Sequence, residues 1–516
     1  MANFGGRTVA VALSIGAIPL YIRFLGIEAY GVVGIFVTLT ALSAIFDAGL
    51  GPTATRELAR LTTSDEGARD ARNLTRTLET IYWIAALGVG ATAMLLAETI
   101  ARHWLQIESL SVEEVSRALR LMGVVLAFQF PAAFYSACLI GLQRQVLLNA
   151  VSATGGSLQV LGALAVLWLI SPSLEAFYFW FAVSRAAQTG LLAILVWRRL
   201  PPAAGRARFD MGQFRRVWRF AAGMGGTAIV GLVLMQVDSL VVSRLLPLSQ
   251  YGYYMVARTV AQGIFLFVAP VFTAVFPHFS QLVAGAETAH LRGAYHRASQ
   301  FLSVAIMPAT VVLVLFAHEA LWAWTGDVEI TRNAALLVGI LSIGVALNGV
   351  QHAPYSLQLA YGWVRFLFAS SVLAMAFLVP ATIYLTTAYG AQGAASAWLA
   401  MNLAVLAVVP PLLHRRILPG ALGRWYLVDV ARPLLAAALV AGAARWLIPP
   451  MEGRALSGLV VVAVFALAAL AALATAPWIR IELTQIAGRF LAGQAPRGHG
   501  ASALRWRLLQ RPNMHH

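Results

Sequence analysis

The sequence predicts an all-α, polytopic integral membrane protein of about fourteen transmembrane helices, arranged as two related six-helix lobes plus two extra C-terminal helices. Three observations predict it. The chain is 60% hydrophobic and 11% charged, whereas soluble domains carry about 25% charged residues. Its apolar residues gather in runs near the roughly 20 residues that a membrane helix needs. Two stretches also nearly repeat each other, Tyr21-Ile-Arg23-Phe-Leu-Gly-Ile-Glu-Ala-Tyr30-Gly31 and Val242-Ser-Arg244-Leu-Leu-Pro-Leu-Ser-Gln-Tyr251-Gly252. Arg, two large apolar residues, four variable positions and Tyr-Gly recur in register, each copy joining one apolar span to the next, as expected of a duplicated transporter.

Taken in order, the spans fall near 4–25, 31–53, 80–100, 119–141, 147–170, 176–197, 220–243, 252–279, 298–318, 334–357, 366–386, 393–413, 432–448 and 456–476. The second is interrupted by Gly49, Gly51 and Pro52, and the run at 432–448 is short. The opening Met-Ala-Asn-Phe-Gly-Gly-Arg7 leads straight into the first span with no convincing cleavage site, so a signal peptide is not expected.

Arginine sets the orientation. One set of alternate connectors holds Arg56, Arg60, Arg69, Arg72, Arg76, then Arg144, then Arg198, Arg199, Arg206, Arg208, Arg215, Arg216 and Arg219. It continues with Arg292, Arg297, Arg365, Arg415, Arg416 and Arg424, and ends in the tail with Arg480, Arg489, Arg497, Arg505, Arg507 and Arg511. The opposite set is poor in arginine and carries Glu108, Glu113, Glu114, Glu175, Glu319, Asp327, Glu329 and Glu452. The first set and both termini are therefore expected in the cytoplasm. A net charge of +16 spread over short connectors does not resemble a nucleic-acid-binding face.

The basic linker 198–219, with Pro201-Pro202, separates the repeats and is expected to divide an N-lobe (1–197) from a C-lobe (220–414). Six is even, so the lobes would be parallel repeats about an axis along the membrane normal. Residues 415–476 form an appendix of two helices, and 477–516 a mobile cytoplasmic tail.

There is no lysine. A Walker site and a Schiff-base mechanism both need one, so ATP binding of that kind is excluded. Cys138 is the single cysteine, which rules out an intramolecular disulfide. No cofactor or metal site is expected.

Four arginines break the orientation rule. Arg23 and Arg244 lie at the outer ends of spans one and seven, Arg258 early in span eight and Arg185 near the middle of span six. Charge at such depth is costly unless it faces water or a partner; snorkelling for Arg23 and Arg244, and a buried ion pair for Arg185, are the bland alternatives. A cationic cavity lined by these four suits phosphate, whose oxygens match the guanidinium fork. Asp47 and Asp238 are the acidic candidates within spans, as coupling-ion ligands or as counter-ions to arginine. Gln129, Gln236, Gln262, Asn348 and Gln351, with Gln143, His352 and Gln358 nearby, could contact glycan hydroxyls or simply bond between helices.

Several motifs together resemble a known family: Arg23-Phe-Leu-Gly-x-Glu-x-Tyr-Gly31, Phe46-Asp-x-Gly-Leu50 leading to Arg56-Glu-Leu-Ala59, Gly141-Leu-Gln-Arg144, Asp238-Ser followed by Tyr251-Gly-Tyr-Tyr254, and Tyr389-Gly-Ala-Gln-Gly393-Ala-Ala. In order and spacing the chain resembles the polysaccharide transporter (oligosaccharide flippase) branch of the multidrug/oligosaccharidyl-lipid/polysaccharide exporter superfamily. The resemblance implies two six-helix bundles around an alternating central cavity and an undecaprenyl-diphosphate-linked oligosaccharide as substrate. The expected protein is then a non-enzymatic transporter of the bacterial inner membrane, working with membrane lipids and polysaccharide polymerase machinery. Lipid II flippases and cation-coupled drug exporters of the same superfamily are the alternatives. From another class, a membrane glycosyltransferase or ligase would need catalytic carboxylates or a larger outer loop. Against the family pattern, the first helix starts almost at the N-terminus, so a short leader is missing or the start is misassigned.

Overall fold

The computed structural model describes residues 2–47, 49–62, 67–203, 205–215, 229–449, 451 and 453–480, with side chains from residue 12 onward except Phe46. The first part of span 220–243, Arg216, Arg219, Glu452 and the tail arginines after Arg480 lie outside the described residues. By its contacts the chain divides into two units, Met1–Met255 and Val256–His516.

The first unit holds α1 (Ala2–Leu25), α2 (Ile27–Ser43), α3 (Leu50–Leu61), α4 (Gly67–Thr99), α5 (Val112–Gly141), α6 (Gln145–Leu169), α7 (Leu174–Arg199), α8 (Val237–Leu245) and the start of α9 (Leu248–Gln262). α5 packs on α4, α7 and α3, while α6 packs on α1 and α7. Leu74, Leu78, Tyr82, Phe134, Leu139 and Val196 form the core of this packing. The second expected span is shorter than the sequence suggests. Its helix ends at Ser43, Ala44–Asp47 is a 3-10 turn, and Gly49 at φ 125° turns the chain into α3. A side chain at that φ would be strained, so glycine fixes where the span stops. The following α3 is amphipathic. It buries Ala54 and Leu58 and exposes Arg56 and Arg60.

The second unit continues α9 and adds α10 (Phe265–Ala284), α11 (Thr288–Leu315), α12 (Ala317–Thr325), α13 (Val328–Val350), α14 (His352–Ala360), α15 (Val364–Arg416), a π-helical segment Trp425–Ala431, α16 (Arg432–Leu447) and α17 (Arg454–Ala474). Spans 366–386 and 393–413 merge into the 53 residues of α15. At 1.5 Å per residue that is about 80 Å, well over twice the length a bilayer needs. Gly390 divides it, at φ 61° and ψ −144°. A Cβ on Gly393 would lie 1.8 Å from the Leu385 carbonyl oxygen, so the Tyr389-Gly-Ala-Gln-Gly393 motif encodes a hinge whose arms touch. α11 packs against α10, α13, α16 and α17. The α16–α17 hairpin docks through Ala437, Ala441 and Ala468, small residues that let helices approach closely in lipid.

Among the described residues, ten helical stretches are long and apolar enough to cross a membrane. Large apolar side chains face outward along them, including Leu95, Trp168, Leu439 and Trp446, which in water would be a costly surface and in a bilayer is the expected one. No strand occurs among the described residues.

Candidate functional site

Two polar constellations stand out in the first unit, one inside the helices and one at the end that holds the connectors after α1, α4 and α8. Inside, Arg185 lies about midway along α7 and is half-buried. Its Nη1 donates to Gln188 Oε1 at 2.9 Å and its Nη2 to Gln159 Oε1 of α6 at 3.3 Å. Nε is buried with no partner among the described residues. A Cβ on Gly155 would lie 2.8 Å from Gln188 Nε2, so that glycine makes room for the carboxamide. Arg185 is thus oriented by two neutral oxygens, and no carboxylate among the described residues pairs with it. Among those residues, the buried ion pair that was its bland alternative is not what holds it.

The acidic residues of the interior have other partners. Asp47, in the 3-10 turn, accepts a bond from the Tyr82 hydroxyl and one from the Gly51 backbone N–H, capping the first turn of α3 in the manner of an N-cap. Asp238 is buried and accepts a 2.6 Å bond from the Tyr254 hydroxyl. Sequence reasoning missed Glu79. It is buried and accepts from the Tyr135 hydroxyl at 2.6 Å and the Trp197 indole at 3.0 Å, while Arg76 pairs with it at 2.8 Å. It stands three residues after Arg76, where it reads as an ordinary surface pair; only the Tyr and Trp brought by α5 and α7 make it a buried network.

At the connector end, the loop after α4 ties the two repeat copies together. Glu28 of the first copy is buried, and its carboxylate accepts the backbone N–H groups of Glu108 at 2.6 Å, Ser109 at 2.8 Å and Leu110 at 3.2 Å, plus the Ser109 hydroxyl. On the second copy, Trp104 Nε1 donates to Ser243 Oγ at 3.1 Å. The Leu248 N–H donates to the Gln106 carbonyl at 2.8 Å, and Gln106 Nε2 donates to the carbonyls of Arg244 and Leu245. Ser249 Oγ donates to Glu108.

The copies also touch directly, and reciprocally. A Cβ on Gly31 would lie 2.4 Å from the Leu248 carbonyl oxygen, and one on Gly252 would lie 2.3 Å from the Ile27 carbonyl oxygen. Ile27 stands four residues before Gly31, and Leu248 four before Gly252. Each glycine of the repeat therefore receives the other copy's backbone at the equivalent position. Thr38 Oγ1 and Tyr251 Oη, 3.1 Å apart, extend the contact inward.

The Glu28 carboxyl sits below its ordinary value: burial pushes it up, but the Ser109 hydroxyl and the three backbone N–H groups outweigh burial. A depressed carboxyl adds stability above its unfolded value and loses it as pH falls through the folded one. Hydrogen exchange in residues 105–111 should therefore stay slow from neutral pH down past the usual carboxylate range and quicken only in stronger acid. In Glu28→Gln it should be fast at every pH, since an amide replaces an acceptor of three N–H groups at a cost of about 1–3 kcal/mol.

Of the other expected residues, Arg23 is exposed in the last turn of α1, and Arg244, also exposed, reaches the Trp104 carbonyl at a long 3.5 Å. Arg258 is buried in the part of α9 that belongs to the second unit. Gln129 and Gln236 are half-buried and Gln262 exposed. Asn348 donates to Asn402 across helices at 3.0 Å, and Gln351 Nε2 to the Leu347 carbonyl of its own helix.

A family profile described as "Polysaccharide biosynthesis protein" matches residues 3–283. The chain belongs to this family. A curated relative, "Putative O-antigen transporter" of Shigella flexneri, is 22% identical over 402 residues, which covers 77% of this chain and 92% of that protein. Among solved structures, "Lipid II flippase MurJ, inward closed conformation" aligns with a TM-score of 0.70 at 14% identity, over 90% of this chain and 97% of that one. An inward-facing multidrug resistance MATE family transporter of the MOP superfamily aligns at 0.67 and 14% identity, over 80% and 95%. At those identities the likeness shows the fold alone. The family member described here thus has the fold of MOP superfamily transporters, and the resemblance read from its motifs holds.

Proposed function

We propose that this chain flips an undecaprenyl-diphosphate-linked oligosaccharide, an O-antigen, capsule or exopolysaccharide unit, across the bacterial inner membrane by alternating access. Arg185 carries this reading: a guanidinium within a membrane helix, steered by carboxamide oxygens and left with its full charge, is a receptor for an anion. A diphosphate offers oxygens at the spacing of the guanidinium fork. A drug exporter that selects lipophilic cations would place the opposite sign there. Family membership and the O-antigen name of the curated relative favour the same substrate class.

In this reading Arg23, Arg244 and Arg258 extend the cationic path, while Gln129, Gln236, Gln262, Asn348 and Gln351 meet glycan hydroxyls. The lobe boundaries at the linker 198–219, the appendix 415–476, the cytoplasmic placement of both termini and cooperation with a polysaccharide polymerase belong to the same proposal. An inside-negative potential helps a diphosphate outward by about 2.3 kcal/mol per charge per 100 mV.

Proteoliposomes loaded with fluorescent lipid-linked glycan test the proposal against lipid II, a lipophilic cation and the same lipid diphosphate without sugar. Potential-driven flipping of the glycan lipid is expected. Bond formation without translocation, or export of the cation alone, overturns it. In the same assay Asp47→Asn and Asp238→Asn should flatten any response to an imposed proton or sodium gradient while sparing glycan binding; unchanged gradient dependence in both would make them structural. Arg69, Arg206 and Arg215 are exposed, and each adds about 1 kcal/mol of attraction to anionic lipid. Gln at any one of them should leave flipping within about twofold of the parent, since such a loss is small beside the remaining basic residues.

A further inference from the structure

We propose that His296 and Asp429, in the second unit, form a proton-binding site at the root of the α16–α17 hairpin. Asp429 is fully buried within the π-helical segment Trp425–Ala431. Such widened turns are rare and concentrate at functional positions. Its Oδ2 meets His296 Nδ1 of α11, and its Oδ1 accepts from Gln300 Nε2 at 2.8 Å. His296 and Gln300 are buried as well. The ionic partner of this buried carboxylate is therefore a histidine, in a chain that has no lysine and whose permanently cationic side chains are all arginine. An arginine would hold a permanent charge, whereas an imidazole can release its proton.

The surroundings tie proton occupancy to the docking of the hairpin. Gln300 is shared: while its amide holds Asp429 just before α16, its Oε1 accepts the Trp478 N–H, at 3.3 Å, just after α17. Trp425 donates its indole N–H to Ser299 Oγ at 3.0 Å. One face of α11, residues 296, 299 and 300, thus grips both ends of the hairpin. Among the described residues, the titratable groups facing the pair are Tyr295 on α11 and His414 at the end of α15, with Tyr426 of the π segment facing Tyr295. Arg297 lies over the Trp478 ring, 5.7 Å from its centroid. His414 Nδ1 is engaged with the Pro410 carbonyl at 2.7 Å.

With the proton on, the site is an imidazolium–carboxylate pair of zero net charge. When the proton leaves to water, a buried carboxylate remains with a neutral imidazole and the Gln300 amide, and an unbalanced buried charge is strongly unfavourable. The prediction is that the deprotonated hairpin loosens at Trp425–Ala431. This site is separate from Arg185, Asp47 and Asp238, so it stands or falls independently of the substrate.

The test uses the full chain in lipid bilayers with 15N-imidazole histidine and solid-state NMR from pH 5 to 9. His296→Gln identifies the signal among the ten histidines. That signal should titrate once in the parent, and its midpoint should fall by about one pH unit or more in Asp429→Asn, which removes the neighbouring anion. In Gln300→Leu it should move upward, because the carboxylate then depends more on the imidazolium. His414→Gln should leave the titration in place. Hydrogen exchange of 425–431, corrected for its intrinsic pH dependence, should rise on the order of a hundredfold above the midpoint. A His296 signal that keeps one protonation state across the range, or the same midpoint in both Asp429→Asn and Gln300→Leu, overturns the proposal. So does exchange that follows only the intrinsic rate. If Asp429→Asn does not fold, the parent titration and Gln300→Leu decide.

Discussion

Arg185→Gln is expected to abolish flipping of the lipid-linked glycan while raising the thermal stability of the protein. The two effects have one cause. The guanidinium is half-buried in α7, hydrogen-bonds among the described residues to the Gln159 and Gln188 oxygens, and keeps a buried Nε with no described partner. A charge at mid-helix costs about 2.5–3.5 kcal/mol on insertion-derived scales, and a neutral amide removes most of that. A protein carrying such a cost for function should be stabilised when it is removed. Loss of a charge-assisted, bidentate contact to phosphate should lower the rate on the order of a hundredfold, since such bonds are worth roughly twice neutral ones. Thermal unfolding in detergent and flipping in proteoliposomes give the two readouts. A variant that is destabilised and inactive would make Arg185 a structural residue; one that is stabilised and fully active would remove it from the substrate path.

Valine at Gly31 or Gly252 is expected to stop flipping for a different reason, by prying apart the two repeat copies. A Cβ at either position would sit 2.3–2.4 Å from a backbone carbonyl of the other copy, and backbone cannot rotate away as a side chain could. Overpacking of this kind costs about 1–3 kcal/mol, and each substitution strikes an equivalent half of the same contact. The double variant should therefore be little worse than the single, since the first has already separated the copies. Cys138 is buried and is the only cysteine, so replacing it leaves a clean background for a reporter thiol. A cysteine at Thr38, which meets Tyr251 behind the glycines, should react slowly with an impermeant maleimide in the parent and quickly in Gly31→Val or Gly252→Val. Unchanged labelling would mean that the reciprocal contact does not seal this end.

Much of this was legible in the chain. The apolar runs and the arginine bias call for a polytopic membrane fold, because a bilayer imposes length and charge rules on each segment separately. The near-repeat from Arg23 to Gly31 and from Arg244 to Gly252 announced a duplication, and the order of the short motifs pointed to the family. Arg185 stood out for the same local reason, as a charge too deep in an apolar run. Glu28 did not stand out as a site. It is one variable position in a motif, and its role depends on three amide groups contributed by a loop about 80 residues away. Glu79 was hidden as one half of an ordinary i, i+3 pair, and Asp429 as an acid near a helix start.

The sequence by itself pointed to a polytopic membrane fold, to a near-repeat of one short element and to the charges that are out of place, since burial in lipid is decided residue by residue. Only the tertiary structure decided what each buried charge meets. It gave Asp47 a phenol and a helix N-terminus, gave Arg185 two carboxamides in place of a carboxylate, and placed each repeat glycine against the other copy's backbone. Those partners lie far apart in the chain, and hydrogen bonds and close contacts act only over a few ångströms, so their pairing exists only once the helices have packed.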